Sequence, residues 1–376
     1  MKYNLADICN FIRETVAISE VNTKNYISTE NLMPNKAGIT VAASIPKVRH
    51  TKAFNVGDVL VSNIRPYFRK IWYAKFSGGC SNDVLVFRSK NQVDPRFLYY
   101  VLADDKFFDY ATATSKGTKM PRGDRNAIME YGVPNISYDS QRKIADILSA
   151  LDDKIELNQR INKNLEEQVQ VNFSEMLSSS GAEHCCLSDI ANINPKRPLL
   201  KGAIARYIDM AQLSTSSSCP NGWISKPFNG GTKFRNGDTL LARITPCLEN
   251  GKKAFINFLQ EDEIAFGSTE YIVISPKESY PAEFFYCLIK NAAFMEYAVK
   301  NMNGSSGRQR VSAEIIQQYK LPRISLFELD RFSSLAPKTF ATIRNNFLEN
   351  IRLAELRDTL LPRLMSGEID VSNITL

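Results

Sequence analysis

Six residues of one thirteen-residue window return 180 positions later in the same chain. Phe54, Gly57, Asp58, Leu60, Ile64 and Pro66 are matched by Phe234, Gly237, Asp238, Leu240, Ile244 and Pro246. Average composition gives about one such match by chance. Farther along, Tyr131, Pro134, Ile136, Ile155, Asn158, Asn162, Leu165, Glu167 and Ser178 each have an identical residue 188 positions later, from Tyr319 through Ser366. A solenoid repeat runs about 20 to 50 residues. A period this long therefore describes two copies of a domain-sized module, and 376 residues leave each copy room for its own core.

Each module opens alike, with Leu5, Asp7 and Ile8 answered by Leu187, Asp189 and Ile190. A Gly-Asp turn signal then precedes an apolar strand candidate, Asp58 to Asn63 in one copy and Asp238 to Arg243 in the other, and both run into proline-containing loops. Further strands are expected at Val84 to Arg88 and Tyr271 to Ile274. The stretches Arg96 to Tyr110 and Glu283 to Val299 carry aromatic residues at helical spacing, which marks them as core-facing helices.

After Pro134 and Pro322 the pattern changes. Leu148, Leu151, Ile155, Asn158, Asn162, Leu165, Val169 and Met176 form a heptad stripe. From Ser140 to Ser178 a helix would extend about 58 Å at 1.5 Å per residue, too long to be buried in one small module. Ser137 is a plausible cap for it, and Ser325 with Glu328 is a capping-box signature for its counterpart. The counterpart places Ile343, Asn346, Asn350, Leu353, Leu360 and Leu364 on the matching stripe, with Pro337 and Pro362 expected to kink or break it at either end. A polar residue on a heptad core costs stability and fixes register. The paired asparagines Asn158, Asn162, Asn346 and Asn350 therefore predict that the two helices pack on each other.

Composition removes several function classes. No apolar run approaches the roughly 18 residues of a membrane span, and the N-terminus lacks the layout of a secretion signal, so a cytoplasmic protein is expected. Seven cysteines without CxxC spacing support neither a disulfide framework nor a zinc site. The two histidines, His50 and His184, lie away from any carboxylate motif and offer little to general base chemistry. The net charge of +7 is compatible with nucleic acid without establishing it.

These features together resemble a known family. The segments NVGDVLVSNIRPYFRK, NGDTLLARITPCLENGK, QRKIADILSALDDKIELNQRINKNLEEQ and LRDTLLPRLMSGEI, set in two similar modules, are similar to the specificity subunit of type I restriction-modification enzymes over essentially the whole chain. The resemblance implies an α+β (mixed α/β) fold in which two target recognition domains, 1–139 and 181–324, are joined by two long helices, 140–180 and 325–376, paired as an antiparallel coiled coil. It also implies that each domain reads half of a bipartite DNA target, and that the helices space the halves and dock two methyltransferase subunits, with restriction subunits as further partners. No cofactor, metal or catalytic residue is expected. In keeping with that, the sequence has no P-loop, no glycine-rich methyl-donor turn and no Asn/Asp-Pro-Pro-aromatic box. A scaffold that has lost specific reading is the alternative, and it would bind DNA in a salt-sensitive, sequence-indifferent way.

DNA phosphates are held by Lys and Arg, whereas base edges are read above all by Arg, Asn and Gln. Loops carrying both types are the candidates. The first module offers Lys116, Thr118, Lys119, Arg122 and Arg125 in SKGTKMPRGDRN, and the second offers Ser305, Ser306, Arg308, Gln309 and Arg310 in NGSSGRQR, at the same place in the repeat. A second pair of segments follows the Gly-Asp turn, with Asn63, Arg65, Tyr67, Arg69 and Lys70 in one copy and Arg243, Thr245, Asn250, Lys252 and Lys253 in the other. Scaffold residues persist there while polar ones differ, as expected of two readers with different half-sites and a non-palindromic target.

Overall fold

The computed structural model describes residues 3–305, 307–372 and 374. The chain divides into two compact units, residues 1–153 with 353–376, and residues 154–352.

In the first unit the strand Val59–Ser62 lies at the centre of the fold. It pairs antiparallel with Ile71–Tyr73 on one side and Val84–Ser89 on the other, and Cys9–Phe11 completes the four-stranded sheet. All four of its residues are buried. Val59 and Val61 face a core with the helices Pro95–Ala103 and Asp105–Ala113, while Leu60 faces Phe54, Trp72 and Val86 of a second core. Burial on both faces explains why the strand reads as a continuous apolar run. The second sheet has the order Thr15–Ala17, His50–Phe54, Gly78–Cys80, Tyr26–Ile27, and its last pair is parallel.

The second unit repeats this plan with Thr239–Ala242 at its centre, flanked by Tyr271–Pro276 and Lys253–Phe255. Leu240 stands opposite Val273 as Leu60 stands opposite Val86. Its second sheet keeps the parallel pair, Ile204–Ile208 with Ala265–Gly267. The outermost strand differs: Thr15–Ala17 extends the His50–Phe54 edge, whereas Ile224–Pro227 extends the opposite edge, beside Ile204–Ile208.

The repeated Gly-Asp pair has a structural cause. Gly57 and Gly237 adopt φ of +89° and +86°, a region that residues with a Cβ rarely enter. The next carboxylate accepts the backbone N–H three residues back, from Asn55 at 2.7 Å and from Arg235 at 2.8 Å. Each carboxylate is also held by one arginine. Arg88 reaches Asp58 through two bonds of 2.7 and 2.8 Å, and Arg197 reaches both oxygens of Asp238 at 2.6 Å. Burial still pushes the Asp238 carboxyl above its usual range, against the pull of the Arg235 N–H and of Arg197.

The aromatic stretches form two short helices each. They break at Asp104 and Asn291, whose side chains accept backbone N–H bonds and cap the second helix of each pair. The long helices are Tyr138–Ser179 and Leu326–Met365. Ser137 and Ser325 accept the N–H of Ser140 and Glu328 at their starts. The second helix is not broken at Pro337 or Pro362 but runs through both. A proline inside a helix costs about 3 kcal/mol. Next to Pro337, Ala336, Phe340 and Ile343 are buried, and next to Pro362, Leu361, Leu364 and Met365 are buried. At about 1.5–3 kcal/mol for each large side chain buried, packing offsets the loss.

The two long helices pair antiparallel. In the second unit Asn158 donates to Asn350 Oδ1 at 2.9 Å and to Glu349 at 2.7 Å, and Asn346 donates to Asn162 Oδ1 at 2.8 Å. Because 158 and 346, and likewise 162 and 350, are repeat images, the two asparagine pairs are one interaction written twice. In the first unit Arg357 bonds Asp152 at 2.7 Å, and Tyr100 donates to the same carboxylate at 2.7 Å. In the second, Glu166 is buried and accepts from Tyr286 and Lys290 and from the Ser218 N–H. In both units a tyrosine of the aromatic helix thus fastens its module to the first long helix.

Candidate nucleic-acid interface

The central strand of each module ends in a turn, and the basic loop from much later in the chain closes over that turn. Ile64 bridges Arg122, and Arg122 also bridges Lys116; in the second module Ile244 bridges Arg310, and Arg310 bridges Asn303. The Arg65 N–H donates to the Pro121 carbonyl at 2.8 Å, and the Thr245 N–H to that of Gln309 at 3.0 Å. The two candidate segments of each module are therefore one site.

A carboxylate that sequence matching missed lies beneath each site. Asp83 and Glu270 accept backbone N–H bonds through their main chains from Asn63 and Arg243, which identifies them as equivalents. Their side chains hold the equivalent arginines. Arg122 Nε lies 3.2 Å from Asp83, whereas Arg310 makes bonds of 2.7 to 3.0 Å to both oxygens of Glu270, and Arg243 adds another of 3.0 Å. Arg310, followed by Arg243, holds the Glu270 carboxyl below the usual carboxylate range. The signal was present in the sequence as an acid 187 positions from an acid, invisible to a search for identities.

The other candidates divide by environment. Lys119, Thr118, Ser305 and Arg308 are exposed, and neither Lys119 nor Arg308 has an ion-pair partner among the described residues. Lys116 pairs with Asp124, whose carboxyl it pulls down, and Arg125 leans on the Asn82 carbonyl at 3.4 Å. Gln309 is half-buried beside Thr245. Arg69 is held by Asp105 at 2.7 Å, and Lys70 and Lys252 donate to the carbonyls of Thr29 and Met210, so these three are engaged within the protein. Ser306 lies outside the described residues. Three polar atoms of the turns are buried without a hydrogen-bond partner: Asn63 Oδ1 and Arg65 Nε in the first module, and Thr245 Oγ1, the equivalent of Arg65, in the second. Buried polar atoms are rarely left so.

Residues 1–167 match the family model described as the type I restriction modification DNA specificity domain. The chain is similar to several type I restriction enzyme specificity subunits. It is 23% identical to the type I restriction enzyme HindI specificity subunit of Haemophilus influenzae, across 98% of this chain and 99% of that one. The EcoAI specificity subunit of Escherichia coli is 31% identical over 157 residues, 40% of this chain and 26% of that one. The crystal structure of the type I restriction-modification S subunit from M. genitalium superposes with a TM-score of 0.58 at 16% identity, covering 97% of this chain and 96% of that one, and so shares the fold. The HindI and EcoAI proteins are both named as specificity subunits. No helix among the described residues is long and apolar enough to cross a membrane, and no group of three or more metal-ligating side chains occurs among them.

Proposed function

We propose that this chain is the DNA-specificity subunit of a type I restriction-modification complex, acting in the cytoplasm, with each module reading one half of a bipartite, asymmetric duplex target. The observation that carries this reading is the recurrence of one two-segment basic site on one scaffold with different polar residues in each copy. Arg65, Arg122, Lys116, Lys119 and Arg125 serve the first half-site, and Arg243, Arg308, Gln309 and Arg310 the second. Domains 1–139 and 181–324 read DNA, while helices 140–180 and 325–376 set the gap between half-sites and dock two methyltransferase subunits, to which restriction subunits are added. Asn158, Asn162, Asn346 and Asn350 fix the register of that helix pair.

The test is co-expression with a methyltransferase subunit and mapping of methylated positions across a host genome. A single motif of two short blocks around a fixed gap is expected. Replacing one module should change one block, and inserting residues into the first long helix should change the gap. A stable complex that methylates nothing would leave a scaffold without a reading function.

A further inference from the structure

Non-glycine residues with left-handed backbone are concentrated at one turn of this protein. Seven occur among the described residues, and four of them, Asn35, Lys36, Arg65 and Arg69, meet around Pro66, Tyr67 and Phe68 with φ between 50° and 61°. The N–H groups of Asn35 and Lys36 donate to the carbonyls of Phe68 and Arg69 at 2.8 and 2.9 Å. Lys36 and Arg69 share Asp105, each at 2.7 Å, on the helix beneath. Such backbone is unfavourable for residues with a Cβ, and it persists where the surroundings over-determine it.

This rigid frame presents two aromatic rings to the outside. Tyr67 is 48% exposed and Phe68 38%, with ring centroids 4.8 Å apart and planes tilted by 57°. Met120, 47% exposed, belongs to the basic loop that closes on the same turn through Arg65 and Pro121. The same loop carries the exposed Lys119 and Arg122, and Arg65 Nε and Asn63 Oδ1 of the turn are buried without a partner. The second module has Cys247 and Leu248 in the corresponding places, and Leu248 is fully buried. An apolar tip within a basic rim matches duplex DNA, whose phosphates meet the rim while its base faces accept the rings. Proteins that kink DNA insert apolar side chains at base steps in this way, and aromatic side chains stack on bases without regard to sequence.

Resting on the DNA-reading function proposed above, we infer that Tyr67 and Phe68 form an aromatic wedge that stacks on an unstacked base or base step in the half-site of the first module, with no counterpart in the second.

The complex with methyltransferase subunits would be used to select duplexes from a random 40-base-pair pool. The enriched duplex would then be remade with 2-aminopurine at single positions. With the unsubstituted protein, fluorescence should rise at one position, within the block read by the first module. Tyr67→Ala with Phe68→Ala should abolish that rise and weaken binding by about fivefold or more per lost stack. The slope of affinity against salt should not change, because no phosphate contact is lost. Tyr67→Trp should retain both signals, and the exposed positions of the rings mean that melting of the double variant serves as the folding control. A double variant that binds with undiminished affinity and an unchanged fluorescence rise overturns the wedge, as does a loss of affinity that comes with a lower salt slope. Failure of the unsubstituted complex to enrich any motif would instead remove the DNA-reading function, and the wedge with it.

Discussion

The two turns that follow the Gly-Asp pairs begin from the same scaffold and diverge within a few residues. In the first module Tyr67 and Phe68 are exposed, and a single contact of 3.2 Å to Asp83 holds Arg122. In the second, Thr245 and Pro246 are joined by a cis peptide bond, Leu248 is buried, and Glu270 clamps two arginines. The first site is apolar at its tip and loosely tied at its rim; the second is polar and tightly braced. Two copies can keep a common core while differing in what they present, because the core residues face inward from the strand and the turn residues are free to change.

The largest effect should come from the part the modules share. Asp238→Ala leaves the almost wholly buried Arg197 without its carboxylate and should cost about 3–5 kcal/mol in denaturant unfolding, whereas Asp58→Ala leaves Arg88, a third exposed and still paired with Glu14, and should cost less. A loss at Asp58 larger than that at Asp238 would break the comparison. Next, Glu270→Ala should cost about 1–3 kcal/mol, since charged hydrogen bonds to Arg243 and Arg310 are lost together. Asp83→Ala, with both partners partly in water, should cost under about 1 kcal/mol. Melting of the four single variants measures all of these.

Acid should separate the two carboxylates at the sites. The Glu270 carboxyl is depressed in the folded protein, so its contribution is fully present above the unfolded value of about 4.3 and is lost as pH falls through the lower folded value. The melting difference between the unsubstituted protein and Glu270→Gln should therefore be constant from neutral pH down to about 5 and shrink below the ordinary glutamate range. A difference that fades near neutrality would show that Arg310 and Arg243 do not set the behaviour of Glu270.

The repeat makes the architecture legible in the sequence. Strands fell where Leu60 and Leu240 predicted, and the heptad stripe located both long helices. The sites were legible only in pieces. Arg65 and Arg122 lie more than fifty residues apart in the chain, and their adjacency comes from the pairing of Ile64 with Arg122, which no local pattern encodes. Asp83 and Glu270 escaped because the repeat conserves the charge and not the residue. Glu166 escaped because a buried glutamate on a stripe edge looks like any solvated one. No break occurs at Pro337 or Pro362, because the packing of Phe340 and Leu364 outweighs helix propensity there. Asp104 and Asn291 did carry a cap signal, but the aromatic periodicity around them concealed the break.

The smallest effect concerns the left-handed arginine at the first turn. Arg65→Gly relieves the Cβ clash at φ 50° while its backbone bond to Pro121 can remain, and it should raise unfolding stability by up to about 1 kcal/mol. The same change should weaken DNA binding. If so, selection has kept a side chain that the backbone would be better off without, and a search for heat-resistant variants of this protein would find, at position 65, its easiest gain and its least useful one.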